Sequence, residues 1–357
     1  MHPSVVQANL PVPLIRMFNS VLKTRLIMIR KFQLTAVLLL FVSLVSLVAQ
    51  KNSSYTELDK VLDGKSIRIV ITDSGVGGLS VMSDIATKLK ESGSFRKVEL
   101  IFANALFDSE SGYNAMQLRE DKIDTFNRVL CGINTKYDPD LIFVACNTLS
   151  VLINDTDFVR HKKNPPVIGI IDTGINLISE RLQKNQNSSV IIFGTETTIE
   201  EGTHKRALLN MGFDKGRVIN MACPQLQSYI ELNPSGEETE MLITYYLSEA
   251  VDKIKDTDQL VDISLNCTHF GYSSRLWEEA LNNSVNNPGE VLDPNKMMGN
   301  ILISESNRQR FNTTEISFTI VSKVSLANVE AMIKIFESSS PEMAEALRNY
   351  KLVKDLF

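Results

Sequence analysis

The sequence predicts an α/β protein of two similar doubly wound α/β domains on mostly parallel sheets. Three observations carry that expectation. Short apolar runs, the mark of strands covered on both faces, recur along the chain. Amphipathic stretches of helical length separate them, as crossover connections require. Landmarks at strand ends recur at a fixed offset, which points to two related halves.

The first fifty residues stand apart. Leu34 to Ala49 is a run of 16 residues without a charge, preceded by Arg30 and Lys31 and followed by the polar Gln50-Lys51-Asn52-Ser53-Ser54. That is the layout of a secretory signal. A spanning helix needs about 20 apolar residues, so the run is short for an anchor. It has no polar face, so it does not read as a helix of the fold. A start at Met28 gives a signal of normal length, and residues 1–27 then derive from an upstream start. No Cys follows the run, so lipoprotein anchoring is not indicated. Cleavage after Ala49 leaves 308 residues, 50–357, exported to the periplasm. The alternative is an inner-membrane anchor through residues 34–49, the one membrane contact expected.

The strands follow in order. Ile67–Ile71 runs into the glycine turn Asp73-Ser74-Gly75-Val76-Gly77-Gly78, and a helix is expected from Leu79 to about Glu91. Val98–Phe102 is the second strand, and a helix near Gln117–Cys131 leads to the third, Leu141–Val144. Pro166–Ile171, Val190–Phe193, Arg217–Met221 and Ile263–Leu265 continue the series. Asp73 and Gly194 both end strands and open turns, 121 positions apart. Cys146 and Cys267 both follow strands, again 121 positions apart. The domains are expected as 1–49 (targeting), 64–165 plus about 271–357 (first) and 166–270 (second).

Composition removes several classes. With 43% hydrophobic and 22% charged residues, the chain is neither disordered, collagen-like nor polytopic. A net charge of −5 leaves no footprint for nucleic acid. Four cysteines in 357 residues are too few for a disulfide scaffold, so each is judged by its neighbours.

Two of them carry chemistry. Val144-Ala145-Cys146-Asn147-Thr148 and Leu265-Asn266-Cys267-Thr268-His269 each place a thiol beside hydroxyl, amide or imidazole groups. Ligands of α/β sheets bind at the carboxyl ends of strands, where both cysteines fall. A thiol with a lowered pKa can exchange protons as base and acid. His269 is the natural partner of Cys267, and Asp73 the matching candidate on the other side. Two such groups on opposite faces of one carbon remove a proton from one side and return it from the other, which inverts the centre. Either Cys alone reads more readily as a small buried hydrophobe, and a Cys146–Cys267 bridge is an alternative in an oxidising compartment. Cys131 reads as core; Cys223, before Pro224, lies near the cleft without a role. No paired CxxC or HxxxH spacing supports a metal. The glycine turn lacks the P-loop Lys-Ser/Thr and the G-x-G-x-x-G spacing, so nucleotide binding is disfavoured. Asn266-Cys267-Thr268 matches a glycosylation acceptor, accidental at a buried strand end.

Taken in order, these motifs resemble the cofactor-independent aspartate/glutamate racemases, glutamate racemase most closely. Asp73 to Val81 is similar to the family's DSGVGGLSV, Ala145–Thr148 to ACNT, Gly194-Thr195 with Thr198 to GTxxT, Ala222-Cys223-Pro224 to ACP, and Cys267-Thr268-His269 to GCTH. Pro166–Ile171 resembles the strand before the EPG segment. The resemblance spans about Ile67 to Phe270, and the tail to Phe357 completes the first domain. It implies two α/β domains with the active site in the cleft between them. It implies Cys146 and Cys267 as the catalytic bases, the first deprotonating the D-substrate and the second the L-substrate, with Asp73 and His269 tuning them. Ser74, Asn147, Thr148 and Thr268 would hold the α-carboxylate and amino group of a small amino acid. It implies no cofactor, pyridoxal phosphate included, and a possible homodimer, although no stretch identifies an interface.

Departures concentrate where the family grips the distal carboxylate. Its Asp is Asn104, and its Pro-Tyr-Gly is replaced by Ser109-Glu110-Ser111-Gly112-Tyr113-Asn114. The Glu of EPG is Asp172; the Ser and Tyr after the GTxxT turn are Glu201 and His204; the Gly before the second Cys is Asn266. The expectation is therefore a racemase of glutamate or a related acidic amino acid. The alternative is a non-catalytic periplasmic binding or sensing protein for amino acids or cell-wall fragments. A one-cysteine decarboxylase is disfavoured by retention of both thiols.

Overall fold

All strands whose pairing is described run parallel, in two sheets. They belong to a computed structural model that describes residues 57–108, 112–161, 164–256 and 258–357. The apolar run 34–49, and with it the expectations of export and of a start at Met28, lies outside the described residues. Among the described residues no helix is long and apolar enough to cross a membrane.

The strands are β1 (Ser66–Asp73), β2 (Lys97–Asn104), β3 (Leu141–Val144), β4 (Val167–Gly169), β5 (Ser188–Gly194), β6 (Val218–Ala222), β7 (Leu260–Asn266), β8 (Pro288–Leu292), β9 (Glu315–Ser322) and β10 (Lys351–Leu352). The first sheet has the order β10-β9-β2-β1-β3-β4 and the second β6-β5-β7-β8. Without β9 and β10, the two orders are one pattern: 2-1-3-4 and 6-5-7-8. The 121-residue offset seen in the sequence carries β1 to β5, β2 to β6, β3 to β7 and β4 to β8.

Alternation along each strand explains the double winding. In the first sheet Ile69, Ile71, Leu100, Phe102 and Phe143 point into one core, and Val70, Ile101, Ile142 and Val144 into the other. In the second sheet Ile191, Phe193, Ile263 and Leu265 face one core, and Val190, Ile192 and Val218 the opposite one. Each such side chain contributes roughly 1.5–3 kcal/mol by burial. Helices therefore cover both faces of both sheets.

The sheets divide the chain differently from the expected boundaries. β4 was expected to open the second domain at residue 166, but it pairs with β3 through Ile142↔Val167 and Val144↔Gly169 and so belongs to the first sheet. The second half was expected to close near residue 270. Instead the helix Ser274–Ser284 drives Trp277 into the second core, and β8 pairs with β7. β9 then returns to pair with β2 along its whole length.

Candidate active site

The glycine turn after β1 is shaped by the opposite half of the molecule. Asp73 is fully buried; its Oδ1 accepts from the Ser74 backbone N–H (2.8 Å) and its Oδ2 from that of Gly78 (2.5 Å). The carboxylate thus satisfies amides at the start of the helix Leu79–Ser92, which has no side-chain cap of its own. Its Oδ2 also accepts from the Thr268 hydroxyl at 2.9 Å. A Cβ on Gly77 would stand 2.4 Å from Thr268 Oγ1 and 2.7 Å from His269 Nδ1. Glycine is required there because side chains that follow a strand of the other sheet pack directly onto its Cα.

Cys146 follows β3 and precedes the short helix Asn147–Ser150. It is 4% exposed, with its Sγ 3.1 Å from Ser74 Oγ. Burial first, and then the negative charge of Asp73, push this thiol well above its ordinary range, with the Ser74 hydrogen bonds pulling the other way. This corrects the sequence expectation of a lowered thiol pKa: Asp73 sits where expected but acts in the opposite direction. Next in the chain, both side-chain polar atoms of buried Asn147 lack any partner. An orphaned buried amide is costly unless a ligand satisfies it. The Thr148 hydroxyl lies 2.8 Å from that of Thr195 in the second half.

Cys267 follows β7 and is 6% exposed, with Sγ 4.0 Å from His269 Nδ1. The other ring nitrogen, Nε2, is 3.2 Å from Glu231 Oε2. Burial alone would discharge this imidazole. Hydrogen bonds and charge from Cys267 and Glu231 outweigh it and hold the His269 pKa well above the usual value. Glu231 went unread in the sequence, because a Glu on the helix Leu226–Leu232 looks like a solvated carboxylate until its partner is known.

The expected residues therefore converge. Cys146, Ser74, Asp73, Thr268, Cys267 and His269 form one chain of contacts or sequence neighbours that crosses between the sheets. The Thr268 hydroxyl proton goes to Asp73, and its oxygen keeps lone pairs that can accept from an amino group. All four cysteines are unbridged. Cys223 packs in the second core, and Cys131 is half-buried and packs against the core on one face of the first sheet. Asn266 is fully buried: its Oδ1 accepts from Ser264 (2.7 Å) and its Nδ2 donates to His204 Nε2 (2.7 Å), which removes it as a glycan acceptor. Asn104 is tied locally to Leu106 N–H (3.0 Å) and Ser322 Oγ (3.2 Å). Among the described residues no cluster of potential metal ligands occurs.

Two halves of one strand order, each offering a buried thiol from the equivalent strand end, fit an isomerase of α/β fold. The comparisons agree. The chain is 32% identical over 215 residues to a glutamate racemase of Clostridium botulinum, covering 59% of this chain and 74% of that protein. It is 28% identical over 270 residues to glutamate racemase of Aquifex pyrophilus, covering 75% and 93%. The fold matches solved glutamate racemases from Francisella tularensis, in complex with D-glutamate (TM-score 0.60, 18% identity, 81% of this chain and 98% of that one), and Campylobacter jejuni (0.58, 21%, 76% and 98%). No family model matches the chain. This chain belongs to the glutamate racemase family, and it is an isomerase of the amino-acid racemase type.

Proposed function

We propose that this protein interconverts the L- and D-forms of glutamate, or of a related acidic amino acid, by two-base proton transfer between Cys146 and Cys267. The observation that carries the reading is the pair of buried thiols at equivalent strand ends, linked through Ser74, Asp73 and Thr268. With D-substrate bound, Cys146 takes the α-proton and the Cys267 thiol returns one to the opposite face. With L-substrate the roles reverse. The raised pKa of Cys146 makes it a thiol in the resting site, suited to donate. His269, held protonated against Glu231, places a cation beside Cys267. To act as the base on D-substrate, Cys146 must first give up its proton, with Cys267 the acceptor. The unpaired Asn147 amide is the donor available to the α-carboxylate, where charge develops as the α-proton leaves.

The test is circular dichroism of the purified protein with acidic D- and L-amino acids, run alongside proton exchange in deuterated water. Loss of optical rotation with deuterium entering the α-position is expected. Full racemisation by both Cys146→Ser and Cys267→Ser would sink the two-thiol scheme. Binding without loss of rotation would mark a sensor instead. The reading includes export, supported by the run at residues 34–49. N-terminal sequencing of the protein from fractionated cells should find a chain beginning near Gln50, and a cytoplasmic, uncleaved chain would overturn it.

A further inference from the structure

Lys122 stands near the N-terminus of the helix Arg119–Tyr137, on the stripe that Thr125, Phe126, Val129, Leu130 and Ile133 bury against the first sheet. Such a position ordinarily takes an aliphatic side chain. Lys122 is only 8% exposed. Its ammonium donates to Thr197 Oγ1 at 2.8 Å, a neutral partner and the only one it has among the described residues. A buried ammonium with three protons and one hydroxyl acceptor is incomplete, because a buried charge without a counter-charge is destabilising. Glu201, one turn further along the same helix, is taken by Arg119 at 2.6 Å.

The position of this cation matters. Thr197 lies on the helix Glu196–Glu201 that follows the carboxyl end of β5. Two residues earlier, Thr195 Oγ1 meets Thr148 Oγ1 at 2.8 Å, and Thr148 is two residues from Cys146. Lys122 therefore reaches across from the first half to the second on the flank that carries Asn147 and Thr148. Asn104, where the family places an acid, is tied to Leu106 and Ser322.

We propose that Lys122 is the counter-ion of the substrate's side-chain carboxylate, and so a specificity-determining residue. This rests on the racemase reading above. It gives an acidic side chain one buried ammonium that bridges the halves.

The experiment compares full-length wild type with Lys122→Met and Lys122→Arg, using glutamate, aspartate and glutamine as substrates and circular dichroism as the readout. Lys122→Met should raise KM for glutamate about 10–100-fold, the range for losing a charge-assisted hydrogen bond. It should leave kcat within a few-fold and KM for glutamine unchanged or lower. Lys122→Arg should recover part of the loss. An unchanged glutamate KM in Lys122→Met overturns the proposal. Met removes an unpaired buried charge, so its melting temperature should not fall. If that variant fails to fold, Thr197→Val, which removes the orienting hydroxyl, should raise the glutamate KM a few-fold with glutamine unaffected; no change in that ratio counts against the proposal. Calorimetry with glutarate, which has no α-amino group and no stereocentre to invert, separates the two readings. A wild type that binds glutarate but racemises nothing overturns the racemase reading alone, and loss of that binding in Lys122→Met still supports the counter-ion.

Discussion

The two halves share a strand order and a strand-end cysteine, yet they surround the two thiols differently. In the first half a hydroxyl, Ser74, and a buried carboxylate, Asp73, accompany Cys146. In the second an imidazole backed by Glu231 accompanies Cys267. The repeat is broken at the equivalent strand ends, Asp73 against Gly194, and it is this break that separates the thiols chemically. One neighbour disfavours a thiolate and the other supplies a cation. A symmetric pair would leave the site with no resting preference for either enantiomer's proton. The difference teaches that the duplicated scaffold supplies placement, and the residues that depart from it supply direction.

The comparison can be broken outright by removing either thiol. Cys146→Ser and Cys267→Ser should each lower racemisation by about 10³-fold or more, within the range for losing an acid–base group together with its shuttle partner. Polarimetric initial rates in both directions would show it. A milder break is Glu231→Gln. His269 would then titrate at lower pH, so the limb of the L-direction rate that depends on imidazolium should move to lower pH, with about tenfold lower activity on its alkaline side. A pH profile identical to wild type would separate Glu231 from the chemistry.

Stability should sharpen the same contrast. His204, buried and acting as acceptor from Asn266, has its pKa lowered from 6.5 to about 4 by burial. Its neutral form belongs to the folded state, so the unfolded chain binds the proton more readily. The contribution is whole above pH 6.5 and is lost as pH falls toward 4, by up to about 3 kcal/mol. His204→Gln should flatten the slope of unfolding free energy against pH in that window, measured by urea titration. Gly77→Ala is the smallest expected change, about 1–3 kcal/mol from the forced shift of Thr268 and His269. Its melting temperature should drop, and a variant as stable as wild type would show that the halves are less tightly apposed than the glycine implies.

Much of this was readable before the structure. β1, β3, β5 and β7 are central strands, and burial on both faces makes them continuous apolar runs. Cys146 and Cys267 stood out because a fixed offset tied them to those strands. The domain boundaries were misplaced because β4 is only three half-buried residues and β8 a half-exposed edge, so neither declares its sheet. Glu231 and Lys122 were illegible for another reason. A charged residue on a helix reads as solvated, and only the fold shows which partner, or lack of one, it meets. The sign of Asp73's influence on Cys146 was also hidden, since it depends on how deeply both are buried.

The return of β9 to the first sheet has a consequence for biosynthesis. β2 pairs with β9 over eight residue positions, and Lys136 meets Asp355 at 2.7 Å. The lobe that begins first on the ribosome therefore cannot be finished until some of the last residues emerge, whereas the second sheet is complete at Leu292. The later lobe is able to mature ahead of the earlier one, and until then β2 remains an open edge of the kind that invites wrong partners. A nascent chain of this topology gains from being held unfolded until synthesis is done.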